Sequence, residues 1–70
     1  MERRRVSSSN IASIGYDEQQ KILEVKFLDS SVYQYFGVNE DVYSSFISAS
    51  SHGIYFHENI RGVYSYSRVA

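Results

Sequence analysis

The most regular signal in this chain is an alternation of apolar and polar positions with period two. In Lys21–Leu28 (KILEVKFL), Leu23, Val25 and Phe27 fall on one side, and Glu24 and Lys26 on the other. That pattern predicts a strand with one covered face. Ile11–Tyr16 (IASIGY) reads as a strand before it, with Gly15 a bulge or a point of close approach. Val32–Phe36 (VYQYF), rich in β-formers, reads as a strand after it. Polar turns separate them at Asp17–Gln20 and Asp29–Ser31. The period then changes. Asn39 suits a helix N-cap, Glu40 and Asp41 suit a first turn, and Val42, Phe46 and Ala49 recur at helical spacing, widened by Tyr43 and Ile47. A helix is expected from Glu40 to Ser51, with Gly53 at the left-handed position just past its end. Residues 54–60 read as either a short second helix or an irregular apolar segment, and Val63–Tyr66 as a last edge strand. The fold class is α+β: a three-stranded antiparallel meander with one main helix packed on one face.

Register decides what the tyrosines do. A four-residue loop at 17–20 opposes Ile14 to Leu23 and Ala12 to Val25, a consistent apolar face. For the next hairpin, a two-residue turn at Asp29-Ser30 turns Tyr33 and Tyr35 to the open face and puts Gln34 against the core. An unpaired amide there costs roughly 1–3 kcal/mol. A three-residue loop, Asp29 to Ser31, pairs Phe27 with Tyr33 and Val25 with Tyr35 and turns both tyrosines inward. It asks Ser31 to take a left-handed conformation, at about 1–2 kcal/mol. The second register is favoured, and a slip of one residue reverses the answer.

Seventy residues make one domain, and 43% hydrophobic content argues against a disordered chain. There is no Cys, hence no disulfide, and no apolar run approaches a membrane span. A soluble cytoplasmic protein is expected. Arg3, Arg4 and Arg5 place residues 1–8 as a flexible basic tail ahead of one domain at 9–70. From Ser7 onward four cations face seven anions, a net charge of −3. An acidic body is a poor start for phosphate binding, and the tail alone supports only weak, salt-sensitive contacts.

Reactive constellations are not evident. Ser51 and His52 are adjacent, which is not a triad. His52 and His57 miss the i, i+4 spacing of helix metal ligands, and the carboxylates are scattered singly. The four glycines form no phosphate loop. The expectation is no enzyme, no cofactor and no metal. The most suggestive patch is Arg61, Tyr64, Tyr66 and Arg68, where arginine beside tyrosine suits base stacking, phosphate pairing or a protein hot spot. The plainer reading is an edge strand with rings over the core and arginine stems above them.

Ser9–Asp17 (SNIASIGYD), Leu23–Phe27 (LEVKF), Tyr33–Tyr35 (YQY), Ala49–Gly53 (ASSHG) and Tyr55–Arg61 (YFHENIR) stand in an order that resembles the KTSC domain. That family takes its name from a C-terminal extension of some lysyl-tRNA synthetases. The likeness runs from Val6 to Arg68, and Tyr33 and Tyr35 match the family's Y-x-Y hallmark. One departure is the turn before it, where the family's usual Gly is replaced by Ser30 or Ser31. The resemblance implies a small non-catalytic binding module, with RNA as partner through the link to a tRNA enzyme. The candidate binding residues are then Arg61, Arg68, Tyr64, Tyr33, Tyr35, Lys26 and the tail residues Arg3, Arg4 and Arg5. The alternative is a protein-interaction or accessory domain, phage-derived or a homo-oligomer, that binds no nucleic acid.

Overall fold

The computed structural model describes residues 1–70. Strands β1 (Arg3–Arg5), β2 (Ile11–Asp17), β3 (Ile22–Phe27) and β4 (Val32–Phe36) are followed by helices α1 (Glu40–Ile47) and α2 (His52–Asn59) and by strand β5 (Tyr66–Arg68). All neighbouring strands are antiparallel, in the order β1-β2-β3-β4-β5. The architecture is α+β as expected, but the sheet has five strands rather than three, and two helices lie between β4 and β5. No helix is long and apolar enough to cross a membrane.

The alternation in β3 decides the layers. Leu23 and Val25 are fully buried toward the helices, while Glu24 and Lys26 look to the other side. Phe46 of α1, Phe56 of α2, Ile60 and Val38 complete the core over Ile11, Ile14 and Tyr35. Phe46 has no exposed surface, and truncating such a ring to Ala typically costs about 3–5 kcal/mol. Ile11 and Ile14 are three apart and could not share a face of a regular strand. The β2–β3 register shifts between Ile11 and Ser13, and this bulge turns both inward. Ala12, expected on the core face, is the residue displaced.

Both hairpins keep the expected faces but sit two residues from the expected register. Ile14 opposes Val25, and Tyr16 opposes Leu23. Val25 opposes Tyr33, and Leu23 opposes Tyr35. Each loop begins one residue later or earlier than read, with the left-handed position at Lys21 (φ 59°) and Ser30 (φ 75°). The β3–β4 turn does have three residues, but they are Leu28–Ser30, closed by Phe27 N–H donating to the Ser31 carbonyl (2.9 Å). Ser30, not Ser31, carries the strain. Moving a register by two preserves every face, so the inward tyrosines hold.

Two expectations fail. Arg3–Arg5 is not a loose tail but an edge strand, paired Arg3 to Gly15, Arg4 to Ile14 and Arg5 to Ser13. Arginine has little strand preference of its own. The pairing is held from outside, by the Arg3 guanidinium donating to Glu24 Oε2 at 3.1 Å. The helix expected over 40–51 likewise ends early, at Ile47, and of the two readings of residues 54–60 the second helix holds, beginning at His52. Ser48 Oγ turns back to the Ser44 carbonyl at 2.6 Å, a local bond that competes with the helix ladder. Ser51 then takes extended angles and caps α2, accepting from Ile54 N–H at 3.3 Å. Gly53 therefore lies inside the first turn of α2, not beyond the end of α1. Asn39 does occupy the α1 N-cap, without a side-chain cap bond. The last strand begins at Tyr66, since residues 60–64 form the turn that brings the chain back to β4.

Candidate functional site

The covered face of the sheet is not sealed at its β4–β5 side. A cavity of about 390 Å³ opens there between β3, β4, β5 and α2. Its walls are aromatic. Tyr66 packs on Tyr33 (ring centroids 5.8 Å apart), Tyr33 on Phe27 (5.8 Å) and Phe27 on Phe56 (5.4 Å). Phe56 packs on Tyr35 (5.6 Å), and Tyr35 returns to Tyr66 (5.9 Å). The five rings thus form a closed cycle, and all five border the cavity. Three of the five contacts are edge-on, the arrangement aromatic quadrupoles favour. The register explains the assembly: Tyr33 and Tyr35 share the inward face of β4, and β5 sets Tyr66 directly opposite Tyr35.

Polar groups complete the lining. Asn10 and Gly53 meet at one side, where a Cβ on Gly53 would stand 2.8 Å from Asn10 Oδ1. A side chain at this position would push the Asn10 amide out of this corner of the cavity. Ser31, His57 and Arg61 complete the polar lining, and no carboxylate is part of it. Ser31 is tied to Asp29, whose Oδ1 accepts from Ser31 N–H (2.9 Å) and Oγ–H (2.6 Å). Those two bonds hold the Asp29 carboxyl below its usual range. The Tyr35 hydroxyl is pushed up to about 12, chiefly by burial, with Tyr33 and Tyr66 adding and Arg61 opposing. At neutral pH it is an uncharged hydrogen-bond donor.

Four of the seven carboxylates of the body lie elsewhere. Asp17, Glu18, Glu40 and Asp41 gather round Tyr16, at the end of the sheet where β2 turns into β3. Burial and these four carboxylates raise the Tyr16 hydroxyl, which donates to the Val38 carbonyl at 2.6 Å. Glu24 is neutralised by Arg3. The cavity sits toward the opposite end, beside the β3–β4 turn. The mean charge of the chain therefore says little about this site.

The residues singled out from the sequence divide between two faces. Tyr33, Tyr35 and Arg61 meet at the cavity. Arg68 stands over the Tyr33 ring, its guanidinium carbon 6.0 Å from the centroid, and its Nε donates to the Ala70 carbonyl. Tyr64 packs against the core instead and does not line the cavity. Tyr66 takes that place and is 62% exposed. On the open face of the sheet, Arg5, Ser13 and Lys26 lie in one cross-strand row beside a shallow depression. Arg3 is committed to Glu24, and Arg4 is exposed on the edge strand. Asn10, Phe27, Ser31, Phe56 and His57 were not anticipated. A signal for four of them exists: Asn10, Phe27, Phe56 and His57 all fall within the segments that resemble the KTSC domain.

Comparison with known proteins agrees. The KTSC domain profile matches residues 7–69. The crystal structure of a KTSC domain protein from Yersinia pestis superimposes with a TM-score of 0.96 at 40% identity, covering 99% of this chain and 97% of that one. An uncharacterised protein of Stutzerimonas stutzeri is 38% identical over 58 residues, 83% of this chain and 82% of its own length.

Proposed function

Since this chain belongs to the KTSC domain family, we propose that it is a non-catalytic cytoplasmic module that binds single-stranded RNA at the mouth of the aromatic cavity. The observation that carries this reading is the five-ring cavity lined by Arg61 and by no carboxylate. Aromatic faces accept unstacked bases irrespective of sequence, and neighbouring arginines pair with phosphates. Arg61 lines the cavity and Arg68 flanks Tyr33.

Fluorescence anisotropy of a labelled short single-stranded RNA, at low and at physiological salt, tests the proposal. Two phosphate contacts predict a shallow dependence, with log K falling by about 1.4 per decade of salt. Replacing both Arg61 and Arg68 by Ala should remove most of the binding. No binding at low salt would end this reading. A protein partner is then the second reading, favoured by the unpaired outer edge of β5, whose three residues are all exposed. Sedimentation across a concentration range would reveal self-pairing through that edge.

A further inference from the structure

Tyr35, His57 and Arg61 bring O–H and N–H groups and one permanent positive charge to the cavity, while Asn10 turns its Oδ1 acceptor toward Gly53. A cage of rings by itself can hold a cation. Here a guanidinium borders the same space, and the Asp29 carboxylate is engaged by Ser31 N–H and Oγ–H rather than lining it, so a second cation is disfavoured and an anion favoured. The volume, about 390 Å³, lies at the small end of the range of ligand pockets, roughly 300–1,000 Å³. It is too small for a helix or a strand pair and sufficient for one planar ring with a sugar and an anionic group. Tyr66 forms an outer wall with 62% of its surface exposed, while Tyr35 opposite it is only 5% exposed. One ring is thus available for stacking and the other is fixed behind it.

We propose that the cavity is a single-nucleotide pocket, in which one base stacks on Tyr66 before the Tyr35 hydroxyl and its phosphate pairs with Arg61. This deepens the RNA reading and rests on it in so far as the nucleotide is one unit of a strand. A free nucleoside monophosphate carries the same chemistry, and the two sources separate by experiment. Guanidinium–phosphate pairing is charge-assisted and can be bidentate, so it accounts for the difference between a nucleotide and its nucleoside.

The test is an amide NMR titration of the full chain with uridine 5′-monophosphate, adenosine 5′-monophosphate, uridine, inorganic phosphate and a short oligouridine. The monophosphates at millimolar concentration should move the amides of Gly53, Arg61, Gly62 and Tyr66. Arg61→Ala should weaken the monophosphates about tenfold and leave uridine unchanged, with Arg61→Lys between. Tyr66→Ala should weaken nucleotide and nucleoside alike. Both side chains are exposed, and the spectra of the variants report whether the fold is kept. The proposal is overturned if monophosphates leave the cavity amides still, if they move only Arg5 and Lys26, or if inorganic phosphate binds as well as they do. If oligouridine moves the rim amides of Tyr66 and Arg68 while those of Gly53 and Arg61 stay still, the pocket fails and the RNA reading stands. If monophosphates bind and oligouridine does not, the pocket stands and the RNA reading fails.

Discussion

Arg3 reaches Glu24 by passing over Gly15. The two residues sit on strands separated by β2, and the position between them in the register is the glycine. A Cβ there would lie 2.8 Å from Arg3 Cγ and 2.9 Å from the Glu2 carbonyl oxygen. The basic segment is a strand because the sheet leaves a gap of one side chain for it. Glu24 Oε1 also accepts from Gln34 Nε2 at 2.9 Å, so the row continues on to β4.

Gly15→Ala should therefore act on β1 before it acts on the core. The added methyl meets backbone as well as side chain, and β1 must lift. We expect a loss of about 1–2 kcal/mol, within the range for such strain. Hydrogen exchange at the β1 amides should accelerate most, while exchange in β3 changes only with global stability. An unchanged β1 would show that the strand is held by something other than this crossing.

Ser30→Gly should stabilise the chain. Ser30 holds φ of 75°, and its side chain makes no hydrogen bond. Removing the Cβ relieves the left-handed cost, partly offset by entropy in the unfolded chain, for a gain of about 0.5–1 kcal/mol. The Tm should rise by several degrees, at roughly 4–8 °C per kcal/mol in a domain of this size. The same turn carries an acid-side dependence. Asp29 is held below its usual range by Ser31, so its contribution is present above the unfolded carboxylate value near 3.8 and is lost as pH falls through the lowered one. The pH profile of the Ser31 amide shift should report it.

At the alkaline end the sign reverses. Tyr35 is raised by burial from 10.0 to about 12, so the folded state resists ionisation that the unfolded chain accepts. Its favourable contribution is complete below about pH 10 and is lost as pH rises through about 12. Tyr16 is raised too, by burial and by Glu40, Glu18, Asp41 and Asp17. Stability should fall across this window, and Tyr35→Phe should flatten the fall. Tyr16→Phe should also flatten it, but at a cost of about 1 kcal/mol at neutral pH for the lost bond to Val38. Denaturant melts at several alkaline pH values, with the tyrosinate band followed, separate the two.

Gly53→Ala places helix preference against fit. Ala gains about 1 kcal/mol in a helix interior, and less at this first turn. Its methyl would meet Asn10 Oδ1 at 2.8 Å, so the Asn10 side chain must leave its place at the cavity. Stability should change little, while ligand binding at the cavity falls. Adding Asn10→Gly should relieve the clash but not restore the lost amide. Full binding by Gly53→Ala would show that Asn10 plays no part.

What could be read from residues alone follows the range of the forces involved. Faces were legible because alternation is local: Leu23, Val25 and Phe27 had one arrangement available. Register was not, because two positions capable of a left-handed turn, Ser30 and Ser31, are neighbours and chemically identical. The break between the helices was hidden by serines, which interrupt a helix or lie quietly on its surface according to which carbonyl they meet. The β1 strand rests on Gly15 and Glu24, contacts far along the chain. Of the cavity, Tyr33, Tyr35 and Arg61 were legible through chemistry or the resemblance. Ser31 was not, since its part depends on where the turn closes.

The chain contains seven tyrosines and no tryptophan, and three of those tyrosines belong to the ring cycle. Its ultraviolet emission is therefore dominated by phenols, three of the seven bordering one space. Any guest that stacks there, or takes the hydrogen bond of the Tyr35 hydroxyl, would quench that light without a label being attached. The protein carries its own optical gauge of whether this hollow is occupied.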